Sequence, residues 1–115
     1  IIVSDTYVEF AGPLLEKMGW PTLFCNTLSV ADNGSISGYN LRQKDGKKKV
    51  TIALQQLNYK VIAIGDSYND ITMLRVADEA ILFRPPDNVK AEFPQFPVST
   101  TFAEVKCEIQ KIINR

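Results

Sequence analysis

Residues 61–70 read Val-Ile-Ala-Ile-Gly-Asp-Ser-Tyr-Asn-Asp, and this stretch decides the fold class. The uninterrupted apolar run Val61–Ile64 predicts a strand buried on both faces, which is typical of parallel sheets. Gly65 ends the run, and the polar residues after it lead into a helical pattern. Ligands of open parallel sheets bind beyond the C-terminal ends of the strands. Asp66 and Asp70 therefore stand where a site is expected.

The segments on either side of this stretch alternate between strand and helix patterns. The β-branched residues Ile1–Val3 predict a buried strand at the very start of the sequence, and the chain opens inside it. Two strand patterns around Asp32-Asn33-Gly34 predict a β-hairpin. The other predicted elements are helices over 47–57, 68–77, 88–93 and 101–113, a strand over 80–83 and an edge strand over 96–98.

A further helix is predicted after Thr6, with Gly19 as its C-terminal stop. An interior proline costs about 3 kcal/mol, so Pro13 is expected in the first turn of a helix beginning near Phe10 or Ala11. Together the elements predict an α/β fold, a parallel sheet with helices on both faces plus a β-hairpin. Residues 1–115 are expected to form part of a single domain.

Composition excludes several kinds of chemistry. The 115 residues are 45% apolar and contain no histidine, so no Ser-His-Asp triad, Cys-His pair or imidazole metal site can be built from them. The two cysteines, Cys25 and Cys107, form no CxxC motif, which favours a reducing cytoplasm over a secreted disulfide scaffold. Apolar runs are short, and no membrane span or secretion leader is expected.

The net charge also argues against a nucleic-acid partner. The 13 basic residues equal the 13 acidic ones, whereas nucleic-acid binders are usually basic overall. The charge is uneven, because five basic side chains fall between Arg42 and Lys49. No aromatic residues are interleaved with them to stack on bases, so the cluster favours a local anion site.

Two positions after predicted strands carry oxygen ligands or donors for an anion. Asp66 and Asp70, four residues apart, can face one pocket, and an exposed carboxylate pair suits Mg²⁺. The alternative is that both acids cap the following helix. Ser4 could hold a phosphate oxygen at a helix entry, or act only as a turn or cap residue. Lys47, at the start of a predicted helix, could neutralise phosphate charge, although most lysine runs are solvated surface.

These motifs, in this order, resemble the later motifs of haloacid dehalogenase-like phosphatases, and within them the phosphoserine phosphatase branch. The residues that carry the resemblance span nearly the whole chain. They are Val3-Ser4-Asp5-Thr6, Gly38-Tyr39-Asn40-Leu41-Arg42-Gln43-Lys44-Asp45, Gly65 through Asp70 and Glu92-Phe93-Pro94-Gln95-Phe96-Pro97.

The resemblance implies a Rossmann-like core. It also implies a hydrolase of small phosphorylated amino acids, phosphoserine first, that works through an aspartyl-phosphate with Mg²⁺ as cofactor. Transfer of the phosphoryl group to homoserine is implied as a further activity. Asp66 would bind the metal, and Asp70 would support the metal-bound waters and Lys47.

The resemblance also assigns the groups that hold the substrate. Ser4 and the amide of Asp5 would bind phosphate oxygens, and Lys47 would offset their charge. Asn69 would hydrogen-bond the substrate or its phosphate. Arg42 is a candidate for a substrate carboxylate, with a solvated surface arginine as the alternative.

The family's nucleophile is an aspartate in an Asp-x-Asp motif ahead of a helical cap, and this sequence contains no Asp-x-Asp. The resemblance therefore implies a C-terminal portion of such an enzyme, inactive alone, whose partner is the missing N-terminal portion or a second copy. A non-catalytic α/β module of receiver or flavodoxin type is the alternative, with Asp66 and Asp70 as helix caps.

Overall fold

The computed structural model describes residues 1–115, which divide into two compact units, residues 1–50 and 51–115. That all 115 residues belong to a single domain stays a prediction. The elements are β1 (Ile2–Tyr7), α1 (Val8–Lys17), β2 (Leu23–Val30), β3 (Ile36–Asn40), α2 (Gly46–Gln56), β4 (Ile62–Gly65), a 3₁₀ turn (Tyr68–Asp70), α3 (Ile71–Val76), β5 (Glu79–Phe83), α4 (Asp87–Glu92), β6 (Val98–Ser99) and α5 (Phe102–Ile113).

The first unit is built on a three-stranded sheet in the order β1-β2-β3. Strands β1 and β2 are parallel, whereas β2 and β3 form the predicted antiparallel hairpin. Strand β1 continues to Tyr7 and does not end at Val3 as predicted, because Tyr7 still pairs with Asn26 of β2. The pairing across strands, which the local pattern does not contain, sets the end of β1.

Helix α1 begins earlier than predicted and contains Pro13 in its interior. Tyr7 is still extended and Val8 opens the helix, so Pro13 is the sixth helical residue and not part of the first turn. The predicted start near Phe10 is therefore wrong. Gly19 does end the helix, with φ of 77°, and the Trp20 amide donates back to the Leu15 carbonyl at 2.8 Å.

The second unit is built on a fully parallel sheet in the order β4-β5-β6. Its core joins the sheet to the helices, with Leu74, Ile81, Leu82 and Val89 almost inaccessible to solvent. Such apolar burial, worth roughly 25 cal/mol per Å², is the main force that holds β4 and its C-terminal loop in place. The α/β class with a parallel sheet is confirmed.

Other differences from the predicted elements are small. The edge strand lies at Val98–Ser99, and the helix predicted from residue 68 begins with a 3₁₀ turn before α3. Ser99 Oγ is buried and has no hydrogen-bond partner. Both cysteines are free, Cys25 buried and Cys107 exposed. None of the helices has the length and apolar character needed to cross a membrane.

Candidate functional site

The Ser4–Thr6 segment lies in an irregular stretch of β1. Val3 pairs with Phe24 and Tyr7 with Asn26, so four steps along β1 match only two along β2. The surplus residues leave the regular ladder, and Ser4 Oγ accepts a hydrogen bond from the Thr6 amide at 3.1 Å. Such bulges re-aim main-chain groups and are common next to functional sites. Ser4 therefore shapes this turn and does not cap α1, which begins after Tyr7.

Lys47 contacts the same segment. Its Nζ lies 3.3 Å from Oδ2 of Asp5, and its side chain is only 15% exposed, whereas that of Asp5 is 64% exposed. An ammonium group with a largely buried stem is held more firmly than a surface lysine. The structure thus brings together three of the predicted site residues, Ser4, Asp5 and Lys47, and supports the choice of Lys47 over Lys48 and Lys49.

Asn26 is a polar residue of this region that the sequence reasoning missed. It is 9% exposed, its Nδ2 donates to the Asp5 carbonyl at 3.2 Å, and its Oδ1 accepts from the Arg42 amide at 3.0 Å. The Arg42 side chain in turn donates from Nε to the Cys25 carbonyl at 3.0 Å. Arg42 is thus anchored at both main chain and side chain. The one sequence signal was an asparagine directly after the apolar residues Leu23–Cys25 of the same strand.

Beside Arg42 lies an open cleft of about 250 Å³. Its lining combines the polar residues Thr27, Asn40 and Arg42 with the apolar Leu41 and Cys25. A guanidinium beside an amide and a hydroxyl suits a small anionic group such as a carboxylate.

In the second unit, the loop after β4 is organised around the Asp70 carboxylate. Asp70 is 6% exposed, and its Oδ2 accepts from the Asp66 amide at 2.9 Å and from the Ser67 amide at 3.3 Å. Asp66 itself is exposed at the C-terminal end of β4. The two acids therefore differ in environment, since one holds the loop backbone and the other presents its carboxylate to solvent.

Gly65 makes this arrangement sterically feasible. A Cβ at residue 65 would lie 2.5 Å from the Cβ of Asp70 and 2.6 Å from its Oδ2. Carbon atoms in contact prefer about 3.5–4.0 Å, so no larger residue fits without displacing Asp70. The glycine is required by a close approach, because the carboxylate occupies the space where a side chain would be.

Tyr68 and Asn69 lie in the 3₁₀ turn that follows, and both are exposed. The Tyr68 hydroxyl donates to a carboxylate oxygen of Glu92 on α4, and this hydrogen bond raises the pKa of Tyr68 above its ordinary value. Its ring also packs edge-to-face on Phe93. These contacts fix the turn that carries Asn69 against α4.

The side chains of this loop can supply part of the ligand set of a magnesium ion. Mg²⁺ is usually held by one or two carboxylates with waters and phosphate oxygens completing an octahedron. Asp66 offers one exposed carboxylate of that kind. No three Asp, Glu, Cys or His side chains cluster closely enough to form a complete protein cage. The chain can thus supply a ligand to such an ion but not enclose it.

The chain belongs to the haloacid dehalogenase-like hydrolases, since the model of that family matches residues 1–78. It is 50% identical over all 115 residues to the phosphoserine phosphatase ThrH of Pseudomonas aeruginosa, and to a phosphoserine phosphatase of Pseudomonas syringae pv. tomato. It covers 56% of the first protein and 48% of the second, so it spans about half the length of these relatives.

Solved structures show the same fold. A phospho-aspartyl intermediate analogue of phosphoserine phosphatase matches with a TM-score of 0.71 at 22% identity, covering 92% of this chain and 54% of that one. The unliganded probable phosphoserine phosphatase of Vibrio cholerae matches with a TM-score of 0.70 at 22% identity, over 92% of this chain and 35% of that one. The Rossmann-like fold expected from the resemblance is confirmed.

Proposed function

We propose that this chain carries part of the active site of a Mg²⁺-dependent phosphatase acting on a small phosphorylated amino acid, with phosphoserine as the first substrate to test. The observation that carries the proposal is the loop after β4. There an exposed carboxylate, Asp66, stands at the C-terminal end of a parallel strand while a buried one, Asp70, holds the loop backbone. The 50% identity to two phosphoserine phosphatases supports the choice of substrate.

The first unit supplies groups suited to a phosphate. In the proposal the Ser4 hydroxyl and the Asp5 amide bind phosphate oxygens, and the Lys47 ammonium, held at the Asp5 carboxylate, offsets their negative charge. The Lys47 stem is mostly buried, so the charge is placed without a large loss of side-chain entropy on binding. Arg42 binds the carboxylate of the substrate from its cleft.

The second unit supplies the metal-binding group. Asp66 would be one ligand of Mg²⁺, and the bound ion would screen the repulsion between the phosphate and an attacking carboxylate. In the proposal Asp70 keeps Asp66 at the strand end by accepting a hydrogen bond from its amide, and it would support the waters of a bound ion. Asn69, exposed in the same turn, hydrogen-bonds the substrate.

The attacking carboxylate is assigned to a residue outside these 115. The family mechanism uses an aspartate of an Asp-x-Asp motif, and the chain contains none. Attack by that carboxylate on phosphorus forms the acyl phosphate and releases the serine hydroxyl; water, or homoserine as an acceptor alcohol, then takes the phosphoryl group. The 115 residues alone are accordingly expected to be inactive.

Both cysteines are free, which supports a reducing compartment such as the cytoplasm.

The test uses the full-length protein and measures phosphate release from phosphoserine with added Mg²⁺ and with a chelator. Asp66→Asn should lower kcat/KM by more than about 100-fold, because the amide is a poor ligand for a hard cation. Asp32→Asn, in the exposed hairpin turn, is the matched control and should change little. Full turnover by Asp66→Asn would remove Asp66 from the metal site.

A second arm measures the acceptor. Adding homoserine should divert product from inorganic phosphate to phosphohomoserine if the acyl phosphate accepts alcohols. The comparisons give no support to the alternative of a non-catalytic receiver- or flavodoxin-type module. That alternative predicts no phosphate release at all, with or without Mg²⁺.

A further inference from the structure

Asn26 occupies the point where β2 changes partners. Tyr7 of β1 pairs with Asn26, whereas the next residue, Thr27, pairs with Asn40 of β3. Asn26 is only 9% exposed, so its side-chain amide must find partners inside the protein. It does so with both ends of the carboxamide, and neither partner is a group of its own strand.

The two partners belong to the two segments proposed to hold the substrate. Nδ2 donates to the main-chain carbonyl of Asp5, in the phosphate-binding segment. Oδ1 accepts from the main-chain amide of Arg42, which lines the cleft of about 250 Å³. The rigid, planar carboxamide of Asn26 is therefore hydrogen-bonded to the main chain of both segments. The Arg42 Nε bond to the Cys25 carbonyl fixes the guanidinium to the residue next to Asn26.

We propose that Asn26 is a specificity-determining positioning residue, which sets the spacing between the phosphate-binding segment and Arg42 so that one ligand bearing both a phosphate and a carboxylate reaches both. This inference rests on the proposed function. Asn26 itself does not touch the substrate. It acts through the main chain of Asp5 and Arg42, and its effect falls on ligands that use both ends of the site.

The test compares two substrates of the full-length protein, phosphoserine and phosphoethanolamine, which lacks the carboxylate. In Asn26→Asp the donor to the Asp5 carbonyl is lost while the acceptor for the Arg42 amide stays. The ratio of kcat/KM for phosphoserine to that for phosphoethanolamine should fall about tenfold, mainly through KM, because only phosphoserine spans both segments. Ser37→Ala removes a hydrogen bond to the Ser29 carbonyl on the exposed hairpin and should leave the ratio unchanged.

A purely structural role would lower activity on both substrates by the same factor, and that result overturns the inference. Asn26→Ser is smaller, adds no charge and removes the hydrogen bonds to both segments, so it tests the same link even if Asn26→Asp folds poorly. It should lower the same ratio, and an unchanged ratio in Asn26→Ser also overturns the inference. A wild type that prefers neither substrate refutes this inference alone, whereas a wild type inactive on both refutes the proposed function with it.

Discussion

Replacing Gly65 by alanine should destabilise the protein by about 2–3 kcal/mol. The new Cβ would lie 2.5 Å from the Asp70 Cβ and 2.6 Å from its Cγ, about 1 Å inside ordinary contact. Either β4 moves, which overpacks the core, or the Asp70 carboxylate moves and gives up the Asp66 amide. A hydrogen bond to a charged group is worth about 1.5–3 kcal/mol, and overpacking costs about 1–3 kcal/mol, so both routes give a similar loss.

Urea unfolding followed by circular dichroism measures this loss, and the midpoint of thermal unfolding should fall by about 10 °C. Gly46→Ala is the matched control, because nothing lies within 4 Å of a Cβ built at the first residue of α2. It should keep the free energy of unfolding or raise it by up to about 1 kcal/mol. A Gly65→Ala protein within about 0.5 kcal/mol of wild type would refute the close-approach argument.

Three further substitutions test separate parts of the fold. Thr101→Ala removes the cap of α5, whose hydroxyl accepts from the Glu104 amide at 3.1 Å, and should cost about 1 kcal/mol in urea unfolding, with Thr101→Ser close to wild type. The Val61 amide donates to the Asp78 carboxylate at 2.8 Å and lowers the pKa of Asp78. The ionised carboxylate therefore stabilises the fold above about pH 4, and this stabilisation is lost as the pH falls through the pKa of the folded state. When the pH is lowered from 6 to 3, the melting temperature of Asp78→Asn should consequently fall less steeply than that of the wild type. Equal slopes of melting temperature against pH would contradict this assignment. Pro13→Ala restores an interior amide to α1 and should raise the free energy of unfolding by about 1 kcal/mol or more, and no gain would show that the proline costs nothing there.

The second unit and the hairpin of the first unit were the more predictable parts of the fold. The run Val61–Ile64 indicated a buried parallel strand, and the structure places β4 at Ile62–Gly65, parallel to β5. The predicted burial on both faces is wrong for Ile64, which is exposed, and only Ala63 of this strand is fully buried. The hairpin was equally clear, because Asn33 and Gly34 are strong turn residues between two apolar segments. Patterns of this kind are local, and local chemistry is what a sequence displays most directly.

The differences arise where distant segments decide the conformation. Strand β1 continues through Thr6 because it pairs with β2 as far as Tyr7, and α1 begins directly after it at Val8, five residues ahead of Pro13. A proline penalty of about 3 kcal/mol predicted a later start. The first turn of α1 is also tied to β2, because the Glu9 carboxylate accepts a hydrogen bond from the Leu28 amide at 3.0 Å, and no local pattern predicts that contact.

The residues of the candidate site could be predicted from the sequence, but the separate role of each could not. Asp66 and Asp70 were correctly placed at the end of β4, but the spacing alone left metal binding and capping open for both. The structure shows Asp70 turned onto the loop amides and Asp66 exposed. The part played by Asn26 depends on two main-chain groups, 21 and 16 residues away, and no local pattern predicts such contacts.

The two thiols provide a built-in probe of how often β2 separates from its neighbours. Cys107 on α5 is exposed and should react with a thiol reagent at once, whereas Cys25 is buried in β2 beside Asn26. Modification of Cys25 must wait for β2 to separate from its neighbours, so the slow phase of labelling reports the frequency of that local opening. The natural sequence thus permits native-state exchange kinetics at the strand joining the two proposed substrate-binding segments, without an engineered label.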